Sequence, residues 1–395
     1  MGDLIIKPAD EGHLKLQNDA GTTAIEIKDD ENAVYISGDL VPSTPLSHRN
    51  MIINGAMQVA QRGTGFSAVT ATGYQIDRFE TTLQGLGAYT ITQNTTAPTS
   101  EGFTQSYKID CTSADASPSA TDFLFISHKI EGQNLQHLRK GTSDAKSVTL
   151  SFWCRCTKTG NIQVNLNDWD NTRIIGQAVT ISSADTWEKK TLTFAGDTSG
   201  VLGNDNGASL VLEWWLDKGS NFSGGAVPTS WEALSSADRA AGCTLAFGDN
   251  AANDFYITGV QLELGSVVAT PFEHRSYADE LRRCQRYYYK PETGTNAYLG
   301  KGHMYASGTI RLLVPHPVTM RTTSTTLEQD YGSQHFYGIE TSSTATYVDA
   351  NWAVQLQGTN ATLISTGSAS TMTVGRGIDV KLSESTAYIA ISAEL

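Results

Sequence analysis

The chain has 395 residues, 39% of them hydrophobic and 17% charged, with a formal net charge of −13. That length suggests two or three domains, and Gly, Ser, Thr and Asn in place of the missing charges favour short strands and turns over helices. The acidic balance argues against a nucleic-acid backbone as partner, which requires clustered Lys and Arg, and against adhesion to an anionic surface by electrostatics alone.

The opening Met1-Gly-Asp-Leu-Ile-Ile-Lys-Pro8 lacks a basic region followed by a long apolar stretch, and no apolar run reaches eighteen residues. The expectation is a chain without secretory signal or membrane insertion, folded in the cytoplasm of its maker. Over residues 1–45, apolar-x-apolar pairs recur at Leu4/Ile6, Leu14/Leu16, Ile25/Ile27 and Val34/Ile36, with Gly, Asp and Asn between them. Each unit predicts one very short strand and a turn. The segment is too short for a core of its own, so stacked neighbours or symmetric copies would have to bury its apolar faces. It reads as a trimeric β-stem or docking region, or else as a flexible polar arm. Pro42-Ser-Thr-Pro45 then marks a linker.

Residues 46–275 predict one β-domain. Val148, Leu150, Phe152, Cys154 and Cys156 alternate with polar positions, as do Ile162, Val164 and Leu166. Leu210, Leu212, Trp214 and Leu216 alternate with Val211, Glu213 and Trp215, so this strand is apolar on both faces, as expected at the centre of a sandwich. The closing run Phe255–Leu264 is interrupted by Gly259, a bulge position. Many short strands with Gly/Asp/Asn turns favour a two-sheet jelly roll.

Ser276 to Lys290 predicts a helix, capped by Ser276 with Asp279 three residues on. Tyr277, Leu281, Cys284 and Tyr288 would share one face, and Pro291 would end it. Its apolar stripe must pack on something, either symmetry mates or the side of the jelly roll. Residues 292–395 are again strand-like: Ile310/Leu312/Val314, Trp352/Val354/Leu356 and Ala387/Ile389/Ile391 alternate, which predicts a smaller, distal β-sandwich. The fold expected is therefore all-β: a short stem (1–45), a central jelly roll (46–275), a connector helix (276–291) and a distal sandwich (292–395).

Enzyme motifs are mostly absent. Neither Gly-x-Ser-x-Gly nor His-Glu-x-x-His occurs. Gly294–Gly302 only superficially matches a phosphate loop, because the spacing is one residue too long and Gly302 stands where Ser or Thr must bind magnesium. The five cysteines are sparse and odd in number, which predicts buried reduced thiols. A glycosidase needs two carboxyls at roughly 5–10 Å. Asp168/Asp170 and Glu213/Asp217 are the available pairs, but Asp168 and Asp170 lie in a turn-like stretch where Asp is common for backbone reasons. No enzymatic activity is expected. Sugar binding needs aromatic faces with polar groups beside them. Most of the tryptophans should be core; Trp169 and Trp231, in polar loop-like contexts, are the candidates for stacking on a glycan.

Two segments bracket the central domain. One runs Asn50-Met-Ile-Ile-Asn-Gly-Ala-Met-Gln-Val-Ala-Gln-Arg-Gly63 and on to Tyr74-Gln-Ile-Asp-Arg-Phe79. The other runs Phe255–Gly265, through Thr270-Pro-Phe-Glu-His-Arg275, to Cys284-Gln-Arg-Tyr-Tyr-Tyr289. Together they resemble phage tail-fibre and receptor-binding proteins of marine and cyanobacterial type, with a carbohydrate-module-like jelly roll. Pro317-Val-Thr-Met-Arg321 is typical of the terminal domain in that family. The resemblance covers residues 48–320 best. It implies a homotrimeric fibre in the virion tail, docked to tail or baseplate proteins through residues 1–45 and attached to host-surface glycans. A tail adaptor or capsid decoration protein without receptor, and a glycan-hydrolysing tail spike, are the alternatives. Jelly rolls of this kind often hold a structural calcium, for which Asn54, Asp77, Asp249, Asn250 and Asp254 stand at matching places; ordinary turn roles compete with that reading. In Tyr-x-x-Asp-Arg-Phe, Asp77 and Arg78 are expected to form an ion pair.

Overall fold

The computed structural model describes residues 14–17, 23–27, 34–36, 47–265, 269–330, 335–340, 345–348, 351–369 and 372–395. The chain divides into two units, residues 1–47 and residues 48–395.

In the first unit, strands Leu14–Gln17, Thr23–Ile27 and Val34–Ile36 form an antiparallel sheet in that order. The register aligns Leu14, Ile27 and Val34 in one row and Leu16, Ile25 and Ile36 in another. Three of the four sequence pairs thus fall on paired strands; Leu4 and Ile6 lie outside the described residues.

The second unit is built from two antiparallel sandwiches. In the first, one sheet has six strands, in the order Glu188–Phe194, Val148–Cys156, Asp254–Leu264, Ser106–Ser113, Ala88–Asn94, Gly65–Val69. The facing sheet has seven, in the order Glu232–Ala233, Arg173–Ile181, Gly160–Asp168, Ala208–Lys218, Phe123–Glu131, Phe79–Gln84, Gly73–Ile76. Period-2 alternation puts Leu150, Phe152, Cys154, Val164, Leu212 and Trp214 into one shared core. Phe152 meets Trp214 edge-on at 5.9 Å between ring centroids, tying the two sheets across it. The strand Ala208–Lys218 is central in its sheet, and its outer face is also covered. Trp215 stacks on Phe125 at 4.5 Å and packs against Phe222 from the excursion that follows the strand. Gly259 forms the expected bulge: Gly259 and Val260 together oppose Phe152, and Gly259 has φ +62° with the Phe103 ring against its Cα. All five cysteines are buried free thiols.

The helix spans Tyr277–Gln285, with Ser276 Oγ accepting the Asp279 N–H at 3.2 Å. It is shorter than the sequence pattern suggests. Tyr288 and Tyr289 form a short strand against Tyr388–Ser392, because burying these aromatics between sandwiches outweighs another helical turn. Tyr277 is consequently not a packing residue; it is exposed, and Glu280 and Cys284 are the helix's buried side chains.

In the distal sandwich, a three-stranded sheet (Tyr288–Tyr289, Tyr388–Ser392, Thr326–Asp330) joins a seven-stranded one. The latter runs in the order Ala345–Val348, Phe336–Glu340, Gly377–Leu382, Tyr298–Ala306, Gly308–Pro315, Ala361–Ala369, Ala353–Gln357. Ile310, Leu312, Val314, Ala387 and Ile389 are in its core, and Ile391 is buried beside it. The alternation Trp352/Val354/Leu356 breaks. An irregularity between Val354 and Leu356 shifts the register by one residue, and Leu356 turns outward, 68% exposed.

Candidate functional site

The two segments that bracket the jelly roll in sequence are partners in space. Asn50 Oδ1 accepts the N–H of Ile52 and of Leu262 (2.9 and 3.1 Å), and its amide donates to Val260 O at 3.0 Å. Glu273 accepts the N–H groups of Arg49 and Asn50. Arg275 donates to Ile52 O and pairs with Glu280. Buried Glu280 accepts the Asn54 N–H, which seats the helix on the opening segment.

The same motifs build the joint with the distal sandwich. Arg286 grips Glu131 in a bidentate pair at 2.7 and 2.8 Å, and the Tyr287 hydroxyl donates to the same carboxylate. Burial opposes ionisation of Glu131, but these hydrogen bonds outweigh it and hold its pKa below the usual carboxylate range. Arg321, from the Pro317–Arg321 motif, donates to Ala393 O and Glu394 O and, across the joint, to Asn206 O. Arg78 is fully buried. Its guanidinium lies 3.5 Å from the Tyr287 ring centroid, donates to Lys129 O at 2.6 Å and pairs with Glu394. The expected Asp77–Arg78 pair is therefore replaced: Arg78 turns to the distal sandwich, and Asp77 accepts the main-chain and side-chain N–H groups of Gln61 at 2.7 and 2.6 Å.

Alongside this joint runs a strip of aromatic rings and cations. Trp169 is 49% exposed, and Lys129 Nζ lies 5.5 Å from its ring centroid and 5.4 Å from that of Tyr74. Lys129 and the Tyr74 hydroxyl both donate to Leu395 O, at 2.7 and 3.0 Å. Arg62 continues the strip, 5.5 Å from the Tyr74 ring and 3.6 Å from that of Tyr288. The strip leads into a cleft of about 390 Å³ lined by Arg62, Phe66, Gly73 and Tyr74 from the jelly roll and by Tyr288, Glu328, Tyr388 and Ser392 from across the joint. Cross-strand register explains the second wall. Tyr288 and Thr326 both pair with Ser392, Glu328 with Ala390 and Asp330 with Tyr388, so these side chains share one face while Tyr289, Leu327, Ile389 and Ile391 take the other. Tyr74, Phe66 and Tyr388 are half-buried, as a ring offering one face to a ligand must be. Lys290 Nζ sits 4.1 Å from the Tyr388 ring centroid, and desolvation lowers its pKa.

Of the residues singled out from sequence, Trp169 belongs to this strip. Trp231 is half-buried, its indole N–H donates to Ala195 O at 2.7 Å, and Lys140 Nζ lies 4.9 Å from its ring. The proposed calcium ligands fall into separate neighbourhoods. Asn54 and Asp77 adjoin each other, the Asn54 amide donating to Asp77 O and Val59 O. Asp249 pairs with Lys158 and accepts from Asn253, and Asp254 pairs with Lys108. Asn250 Oδ1 accepts the Ala252 N–H, a turn role. Among the described residues no three His, Cys, Asp or Glu side chains are grouped to hold a metal ion. The candidate glycosidase carboxylates are committed elsewhere. Asp168 pairs with Lys140, Asp170 accepts the Gly203 N–H, Glu213 pairs with Arg239, and Asp217 accepts the Gly248 N–H.

Sequence reasoning missed Arg62, Tyr74, Lys129, Glu328 and Tyr388. One signal was available: the alternation Ala387/Ile389/Ile391 assigns Tyr388 to the opposite, non-core face.

No protein-family profile matches the chain, and no curated protein matches it in sequence. Solved structures similar to parts of it include the enzymatically active domain of tailspike protein 4 of bacteriophage CBA120 (13% identity, TM-score 0.27, 54% of this chain and 21% of that one). This chain thus matches about a fifth of that tailspike's length. TmCBM61 in complex with β-1,4-galactotriose is similar at 8% identity and TM-score 0.27, over 55% of this chain and 99% of that one. The family 11 carbohydrate-binding module of Clostridium thermocellum, in complex with a β-1,3-1,4-mixed-linked tetrasaccharide, is similar at 8% identity and TM-score 0.26, over 53% of this chain and 99% of that one.

Proposed function

We propose that this chain is a non-catalytic adhesive protein of a virion tail, a homotrimeric fibre that attaches to host-surface glycans, with residues 1–45 docking to tail or baseplate proteins. The observation that carries the glycan reading is the strip from Trp169 through Lys129, Tyr74 and Arg62 to the tyrosine-lined cleft. It combines exposed or half-buried ring faces with hydroxyl-binding polar groups, the chemistry a pyranose ring requires, and its volume lies within the range of small-ligand pockets. The two bracketing motifs, both engaged in building the joint, support the fibre reading. Three chains would turn weak single-site binding into firm attachment.

The test is binding of the labelled full chain to a glycan array, compared with Trp169→Ala and Tyr388→Ala. Loss of one stacking contact is expected to weaken binding about tenfold for each variant, corresponding to roughly 1–1.5 kcal/mol. Full binding by both variants would sink the assignment of this surface.

A further inference from the structure

Charge is spread unevenly over this chain of net charge −13, and one sheet of the distal sandwich runs against the balance. Five neighbouring strands of the seven-stranded sheet, from Gly377–Leu382 to Ala353–Gln357, hold three cations, Lys301, Arg311 and Lys381, against one anion, Asp379. Period-2 alternation sends Met304, Ile310, Leu312, Ile378 and Val380 to the core, so the four charges stand on the outer face with His303 and Tyr305. Asp379 is engaged there. It accepts from Lys301 Nζ at 3.2 Å and from the Tyr298 hydroxyl at 3.1 Å, and these bonds, that of Lys301 foremost, hold its carboxyl below the usual range, with the Lys381 charge adding to the effect. Arg311 is not engaged in this way. Its guanidinium carbon lies 3.3 Å from the Tyr305 ring centroid, its buried Nε has no hydrogen-bond partner, and among the described residues no carboxylate pairs with it. His303, opposite Arg311 in register, meets the same ring edge-on at 6.4 Å. Arg376 lies in the turn at the Arg311 end of this face, and Glu384 in the turn at the other end.

We propose that this face is a second glycan site, separate from the cleft at the joint, and that it takes acidic sugars, with a carboxylate or sulfate seated on Arg311. A guanidinium stacked on a ring is pre-organised, and its paired N–H donors match a carboxylate or sulfate in a way a lysine cannot. Tyr305 and Leu313 are 53% and 55% exposed on the same face and offer apolar surface to the C–H side of a sugar ring. The Lys301 side chain is 83% exposed, so its pair with Asp379 is weak enough to yield to a second anionic group. The attraction is local. An acidic chain repels polyanions at a distance, but screening confines that to about 8 Å at physiological salt. Three strand cations are too few to hold a nucleic acid, whose affinity rests on many neutralised phosphates.

The experiment is calorimetric titration of the full chain with trigalacturonate, a sulfated galactose trisaccharide, neutral galactotriose and polyglutamate, at low and at physiological salt. At least one acidic sugar is expected to bind about tenfold or more tighter than galactotriose, and more weakly at the higher salt. Arg311→Gln, its fold checked by circular dichroism, should weaken acidic binding about tenfold, and Arg311→Lys, which keeps the charge without the planar fork, should restore only part of it. Equal binding of neutral and acidic sugars would overturn the proposal. So would acidic binding that Arg311→Gln spares and Tyr388→Ala abolishes, which would place the ligand in the joint cleft and leave the glycan reading standing. Failure of every acidic sugar to bind, while array binding sensitive to Trp169→Ala and Tyr388→Ala persists, would overturn this site alone. Polyglutamate binding tighter than any sugar and lost in Arg311→Gln would make the face a dock for an acidic protein and overturn its assignment to glycans.

Discussion

The pair formed by Arg78 and Glu394 gives the sharpest test of how the two sandwiches are held together. Arg78 is fully buried and Glu394 nearly so, with side-chain exposures of 1% and 7%. Removing one partner of a buried pair costs about 3–5 kcal/mol, because the remaining charge stays desolvated. The two single variants should differ. Glu394→Ala strands the Arg78 guanidinium, which keeps its hydrogen bond to Lys129 O and its place on the Tyr287 ring but loses its carboxylate. Its cost should reach the full range of about 3–5 kcal/mol. Arg78→Met leaves Glu394 still paired with Arg62 at 3.3 Å and should cost less, about 2–3 kcal/mol. The double variant should cost clearly less than the sum of the two. Urea unfolding followed by tryptophan fluorescence reads all three, and limited proteolysis of the distal sandwich reports loosening of the joint. A cost below about 1 kcal/mol for Glu394→Ala, or strict additivity in the cycle, would refute the reasoning.

His128 is fully buried, with Nδ1 3.0 Å from Arg78 O, and burial together with the neighbouring Arg78 charge pushes its pKa down to about 3. Its folded pKa lies below the unfolded value of 6.5, so the unfolded state binds the extra proton between these limits. Its stabilising contribution is complete above pH 6.5 and declines as pH falls toward 3. Between pH 6.5 and 4.5 wild type should lose about 2 kcal/mol relative to His128→Gln in urea titrations, and parallel pH curves would contradict this. Gly259→Ala should cost about 1–3 kcal/mol in the same assay, since a Cβ there would come within 2.7 Å of the Phe103 ring at a φ of +62°. Light scattering of the full chain and of one starting at Ser47 tests the fibre reading. Trimers that become monomers on truncation place assembly in the N-terminal strands, and monomers in both cases would count against a fibre.

The strands were legible because the alternation of apolar residues is dictated by one physical requirement, a sheet with one face against a core. Val148–Cys156, Ile162/Val164/Leu166 and Leu210–Leu216 satisfy it locally, and so does the bulge at Gly259, the one position in its run able to take a left-handed backbone without strain. Reading failed where a distant partner decided the outcome. Tyr288 fits a helical stripe as well as it fits a strand, and only the waiting edge of Tyr388–Ser392 with its buried surroundings settles the choice. Arg78 lies next to Asp77 in sequence but points to Glu394, because adjacent side chains diverge while a chain folded back through 316 positions brings the carboxylate to it.

Sequence alone determined the all-β class, the order of the elements, the buried thiols and the exposed position of Trp169, since each follows from local pattern and composition. Tertiary structure alone decided the joint and its cleft. Arg62 and Tyr74 meet Tyr288, Glu328 and Tyr388 because Glu131 and Arg78 anchor one sandwich to the other, and the energy of such buried ionic contacts depends on three-dimensional proximity and desolvation, neither of which a linear pattern encodes.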